Sequence, residues 1–285
     1  MYQAHFGFCE PPFGITPDTS FFFAFSSYQE ALNTLLVAVR TGEGFIKITG
    51  EVGTGKTLLC RKFLASLGSD FVTAYIPNPY LEPRTLLMAV ADDLHIAVDA
   101  MADQHHLLKA LTMGLMNFAR EGKRVVLCLD EAQAMPLETL EALRLLTNLE
   151  TEKRKLLQIV LFGQPELDDK LDQASIRQLK QRISFHYRLG ELGRAELEAY
   201  VAHRLAIAGY EGERLFTQNA LHQLYRASGG VPRLVNILAH KALLLAYGQG
   251  MNQVEARHIR AAVADTPAAR RLDWWRFVPG RVGRK

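Results

Sequence analysis

The chain has 285 residues, 48% of them hydrophobic and 22% charged, with a formal net charge of +3. That size suits one large or two small globular domains, and the balance of residue types excludes a disordered, collagen-like or cysteine-scaffold protein. The charge is uneven: residues 270–285 carry +5 and the remainder −2, so the body of the chain offers no broad basic surface.

The three cysteines, Cys9, Cys60 and Cys128, lie far apart and form no Cys-x-x-Cys pair. Neither a zinc site nor a disulfide framework is indicated, and Cys60 and Cys128 read as small core residues. No run approaches the ~20 apolar residues of a membrane span. The first residues lack the basic and apolar regions of a secretory signal. The expected location is the cytoplasm, with peripheral contact at the inner face of the cytoplasmic membrane as the variant.

Residues 1–27 are rich in aromatics and proline, from Tyr2, Phe6, Phe8, Pro12 and Phe13 to Phe21–Phe25. Such a segment is expected to wrap over the core, as a hydrophobic lid or as a cover on an adenine ring. Tyr28 to Val39 has helical spacing of apolar residues. Phe45–Thr49 reads as a buried strand, followed by a glycine-rich turn and a helix to about Leu67. Phe71–Ile76 is a second strand. Pro83 suits the first turn of a helix through Leu94, and another helix spans His106 to Arg120, with His105-His106 as a solvated loop pair. Val125–Leu129 is a strand apolar enough for burial on both faces. Leu140, Leu143, Leu146 and Leu149 mark a helix, Leu156–Gly163 a strand, and the alternating run Arg182–Tyr187 a fifth strand.

Beyond about Leu189 strands stop. Arg194–Ala208, Thr217–Ser228, Pro232–Tyr247 and Glu255–Asp265 read as consecutive helices, with Thr217 as an N-cap and Pro232 in a first helical position. An α/β core followed by a small all-α domain is the natural architecture.

The run Gly50-Glu51-Val52-Gly53-Thr54-Gly55-Lys56-Thr57, leading into Leu58, has the spacing of a phosphate-binding loop between a strand and a helix. Its fixed positions match by chance in about one chain in a hundred of this length. Glycines let the backbone close around an anion, and the helix points free N–H groups and its positive end at it. Lys56 would neutralise the β- and γ-phosphates of ATP, and the Thr57 hydroxyl would coordinate Mg2+. Asp130 and Glu131, at the carboxyl end of an apolar strand, fall where α/β sheets bind ligands. Asp130 would hold the Mg2+ and Glu131 would polarise an attacking water.

An α/β core of this kind with a helical lid resembles the AAA+ ATPase superfamily. The resemblance implies a P-loop core with a parallel sheet flanked by helices over 1–188, including the aromatic N-terminal segment, a helical lid over 189–267, and a basic aromatic tail over 268–285. It implies that Gln164 ends a strand as the polar residue that senses the γ-phosphate, where asparagine is usual. It implies that Arg182 is an arginine finger completing a neighbouring subunit's site in an oligomer. In Gly230-Val231-Pro232-Arg233, it implies that Arg233 touches the nucleotide from the lid.

A narrower resemblance rests on Tyr2, His5-Phe6-Gly7, Pro12-Phe13, Pro17-Asp18, Tyr28, Ala31-Leu32 and Gly44-Phe45-Ile46, with the phosphate loop and Asp130-Glu131-Ala132-Gln133. This order is similar to the general secretion pathway protein A family, and the length is similar to ATPases of MSHA-type pilus biogenesis. The family implies partners among pilus or type II secretion assembly proteins. The tail, with Trp274, Trp275 and its arginines, suits a membrane surface, a partner protein or nucleic acid. The alternative function is that of a DNA-linked AAA+ ATPase of the transposition or replication-initiator type. The net negative body makes nucleic acid the less favoured partner.

Overall fold

A computed structural model describes residues 2–99, 101, 103–150 and 155–269. The tail expected over 268–285 lies outside the described residues from position 270 on, and so do the readings placed on it. The chain opens with a short helix, α1 (Tyr2–Phe6), and then divides into two compact units. Pro17–Gly190 form one; Met1–Thr16 together with Glu191–Lys285 form the other.

The first unit runs α2 (Ser26–Thr41), β1 (Phe45–Gly50), α3 (Lys56–Ala65), β2 (Phe71–Ile76), α4 (Pro83–Asp93), α5 (Gln104–Arg120) and β3 (Arg124–Leu129). It continues through α6 (Leu137–Thr147), β4 (Leu157–Gly163), α7 (Glu166–Leu171), α8 (Arg177–Lys180) and β5 (Phe185–Leu189). Its five strands form one sheet in the order β2-β3-β4-β1-β5, every pair parallel. The central strands β1 and β4 are buried along their whole length, as expected of strands covered on both faces. The edge strands β2 and β5 are only partly covered. Parallel pairing puts all five carboxyl ends on one edge of the sheet. Gly50, Asp130 and Gln164 therefore emerge side by side, where β1, β3 and β4 end. Cys60 and Cys128 are buried, as the sequence suggested, while Cys9 is exposed.

The second unit contains α1, α9 (Arg194–Ile207), α10 (Gln218–Ser228), α11 (Pro232–Gly248) and α12 (Ala256–Ala264). Thr217 caps α10 by accepting from the Ala220 N–H, and Pro232 opens α11, both as the sequence indicated. Gly230, at φ +81, accepts the Leu192 N–H on its carbonyl; a Cβ there would lie 2.1 Å from the Leu192 carbonyl oxygen. The N-terminal segment is fastened to these helices by polar groups. The buried Arg204 guanidinium donates to the Pro12 carbonyl. Asn236 donates to the Gly14 carbonyl at 3.2 Å and accepts from Tyr200 at 2.9 Å. Phe13 meets Phe216 edge to face at 5.9 Å.

Several expectations need correction. The aromatic segment does not go with the core as one piece: residues 2–16 pack with the C-terminal helices, and only the part from Pro17 joins the sheet unit. Composition showed that the segment packs, but not against what. The fifth strand is Phe185–Leu189 and begins after Arg182, because the chain from Arg177 first makes a helical turn. His105 and His106 are exposed, but in the first turn of α5, whose N-cap Asp103 accepts from the His106 N–H. The short helices α1, α7 and α8 are too brief for a periodic signal.

Candidate nucleotide site

The loop after β1 is shaped by its glycines. Gly53 and Gly55 take φ of +83 and +98, which side chains rarely adopt. A Cβ on Gly50 would lie 2.9 Å from Thr54 Oγ1 and 3.0 Å from the Leu189 carbonyl. Thr54 is buried and closes the turn by donating to the Glu51 carbonyl at 2.9 Å. Gly55 is the N-cap of α3 and brings no capping side chain. The first-turn N–H groups of Lys56, Thr57 and Leu58 therefore have no intrahelical partner. Glu51 and Val52 stand exposed at the loop's crest.

Lys56 is 5% exposed, and its ammonium donates to the Gly50 carbonyl at 2.8 Å and the Glu51 carbonyl at 3.0 Å. An ammonium has three donors, so one remains for a ligand. Burial lowers the Lys56 pKa, while the carboxylates of Glu131, Asp130, Glu51 and Glu166 act in the opposite sense. The Thr57 hydroxyl donates to Asp130 Oδ2 at 2.6 Å, joining the phosphate loop to the end of β3. Tyr75, near the end of β2, reaches the same oxygen at 3.4 Å. Asp130 is 2% exposed, and burial pushes its carboxyl above the ordinary carboxylate range against the pull of the Thr57 hydroxyl and the Glu131 N–H. A cation bound there would offset the cost of keeping that carboxylate charged.

A hydroxyl and a carboxylate side by side, beside a cradle of N–H groups, fit magnesium, which takes few protein oxygens and completes its shell with water and phosphate. Glycine cradle, free helix N-terminus and buried lysine fit a polyphosphate. The residues present thus suit ATP·Mg2+.

Glu131 follows Asp130 in a left-handed conformation, φ 52 and ψ 38, unusual for a side-chain-bearing residue. Its Oε2 accepts from two side-chain amides: Gln133 Nε2, and Gln164 Nε2 at 3.1 Å. The structure thus brings together the phosphate loop, Asp130, Glu131 and Gln164 at one edge of the sheet. It adds Tyr75 and Gln133, which the sequence reading passed over. Gln133 stood in the Asp130–Gln133 run but carried no charge to attract notice.

Arg182 sits between α8 and β5 and donates to the Thr147 hydroxyl and, at 3.4 Å, to the Arg144 carbonyl at the end of α6. Its partners are on α6 and not in the phosphate loop of its own chain. Arg233 lies in the helical unit, in the first turn of α11, exposed and paired with no carboxylate among the described residues.

Among the described residues no cluster of His, Cys, Asp and Glu has metal-binding geometry, and no helix is long and apolar enough to cross a membrane.

A family model described as an AAA domain matches residues 39–171, from the end of α2 through α7. General secretion pathway protein A of Aeromonas hydrophila is 41% identical over 275 residues, 96% of this chain. The chain spans 50% of that relative's length. Among solved structures, Cdc6p of Pyrobaculum aerophilum superimposes with a TM-score of 0.67 at 16% identity, over 87% of this chain and 70% of that one. ORC1 of Aeropyrum pernix, in complex with DNA, gives 0.63 at 18% identity over 90% and 69%. The RuvB branch-migration motor of Thermotoga maritima gives 0.58 at 15% over 88% and 73%. At these identities the solved structures establish the fold alone. The AAA domain matched over residues 39–171 and the 41% identity across nearly all of this chain make it similar to general secretion pathway protein A over half of that relative's length.

Proposed function

We propose that the chain binds ATP·Mg2+ at the phosphate loop, hydrolyses it, and uses the cycle to assist assembly of a type IV (MSHA-type) pilus or a type II secretion apparatus from the cytoplasmic side. The observation that carries the nucleotide chemistry is the 2.6 Å contact of Thr57 with Asp130 beside the buried Lys56. The assembly role is supported by the 41% identity to general secretion pathway protein A.

In this reading the loop N–H groups and the third donor of Lys56 hold the β- and γ-phosphates, and Thr57 and Asp130 hold the magnesium. Bound magnesium supplies neutralisation of the charge on those phosphate oxygens. Glu131 takes the proton of a water whose oxygen bonds to the γ-phosphorus as the β–γ bridging bond breaks. Gln164 orients that water or the γ-phosphate. Arg182 leaves the end of α6 to complete a neighbouring copy's site, and Arg233 contacts the nucleotide from the helical unit.

ATP turnover per subunit against protein concentration tests this, with and without duplex DNA and with Lys56→Ala as the blank. The expected rate rises with concentration and ignores DNA. A rate equal to the blank overturns the nucleotide chemistry. A rate that stays low until DNA is added favours the alternative, a DNA-linked ATPase, whose support is the shared fold with ORC1 solved on DNA.

A further inference from the structure

The mechanism above leaves Gln133 without a role. Its position is unusual, because its one amide has both ends occupied. Oε1 accepts the backbone N–H of Gln164 at 3.0 Å, and Nε2 donates to Glu131 Oε2. Only one orientation of the amide satisfies both neighbours, since an N–H faces one end and a carboxylate the other. Gln164 returns from β4 with its own amide to the same Glu131 oxygen at 3.1 Å. The three residues thus form a closed ring, completed by the Gln164 backbone N–H, from the turn after β3 to the end of β4. Glu131 Oε1 stays outside it and accepts no hydrogen bond among the described residues.

We propose that Gln133 is a positioning residue for hydrolysis: it fixes Glu131 by one carboxylate oxygen, leaves the other to the attacking water, and locks Gln164 to the same body. The ring compensates a local cost, since Glu131 sits in the left-handed region at φ 52. Such a conformation persists only where its surroundings over-determine it. Without Gln133 the carboxylate loses a donor and the end of β4 loses the acceptor for the Gln164 N–H. A general base displaced by an ångström loses much of its effect.

The inference rests on the hydrolytic reading of Glu131, so the test separates the two. Gln133→Glu keeps the shape and the acceptor for the Gln164 N–H but removes the donor to Glu131; Gln133→Met removes both. Each is measured for kcat, for the Kd of ATP, and for hydrogen exchange at the Gln164 N–H in nucleotide-free protein. We expect kcat to fall about tenfold or more in both, with Kd unchanged within about twofold. Exchange protection at Gln164 should be lost in Gln133→Met and kept in Gln133→Glu. Added to Glu131→Gln, Gln133→Glu should cause no further loss, since it keeps the Gln164 contact and leaves no Glu131 carboxylate to position. An unchanged kcat, or a Gln133→Glu loss that adds to that of Glu131→Gln, overturns the proposal while leaving the hydrolytic reading intact. If Glu131→Gln itself hydrolyses ATP normally, the hydrolytic reading falls first.

Discussion

In the sheet unit, three buried polar side chains, Thr54, Lys56 and Asp130, lie in the phosphate loop or directly after β3, while others such as Thr139 and Gln158 donate to backbone carbonyls within the unit. In the helical unit, the buried Arg204, Asn236 and His258 lie along helices, and their partners are backbone carbonyls, an N–H and neighbouring side chains. The phosphate-loop set gathers at one edge of a sheet, where the Lys56 ammonium keeps one donor unused. The second set is spent on internal contacts. Burying a polar group is costly unless it is paired. The sheet unit bears that cost at a place where a ligand can supply the missing partner. In the helical unit Arg204, Asn236 and His258 meet it with internal partners.

Substitutions can break this contrast, and the largest effect is expected at Lys56. Lys56→Ala should abolish ATP binding and lower turnover about 1000-fold or more, measured by fluorescent-nucleotide titration and phosphate release. Thermal stability should hold or rise, because a cation buried against its preference is removed. Next comes Glu131→Gln, which should keep ATP binding and lower kcat by about 10²–10⁴, seen in a single-turnover assay.

The helical unit should respond in the opposite way, in stability and not in chemistry. Gly230→Ala places a Cβ 2.1 Å from the Leu192 carbonyl oxygen, in a backbone region at φ +81. It should cost about 3 kcal/mol or more, read by chemical denaturation. Arg204→Met leaves the Pro12 carbonyl without its donor and should cost about 1–3 kcal/mol, with faster exchange over residues 2–16. If either change abolished nucleotide binding in protein that remained folded, the contrast between the units would fail.

The smallest effect is in pH. His258 Nδ1 accepts the Glu255 N–H at 3.0 Å, and Nε2 faces Gln249 Oε1 at 3.1 Å, so the folded unit holds a neutral ring. Burial pushes its pKa below the ordinary 6.5, and Arg257 adds to the shift. Below pH 6.5 the unfolded chain therefore takes up a proton that the folded chain refuses, and stability falls as pH falls. His258→Gln should flatten the dependence of the melting temperature on pH through that window.

The legibility of the sequence follows the same divide. The phosphate loop and the Asp130-Glu131 pair are contiguous, because a strand–turn–helix and a strand end deliver their chemistry locally. The consecutive helices after Leu189 could be read from spacing and caps such as Thr217 and Pro232. The ring of Gln133, Glu131 and Gln164 was not legible, since it joins residues 31 and 33 positions apart through uncharged amides. Nor was the attachment of the N-terminus, which depends on Arg204 meeting Pro12 across 192 positions. The fifth strand was misread by alternation alone, because a helical turn through Lys180 delays its start to Phe185.

Because residues up to Thr16 pack with the helices from Glu191 onward, the sheet unit is an insertion between two halves of the helical one. On the ribosome, the aromatic opening of the chain emerges long before the helices that cover it. At about 5–20 residues per second, that delay is roughly 10–35 s. The sheet unit can assemble while Tyr2, Phe6, Phe8 and Phe13 still wait for their partners. Capture of residues 2–16 therefore waits until the helices from Glu191 onward have been made, and until then these aromatic side chains have no partner to bury them.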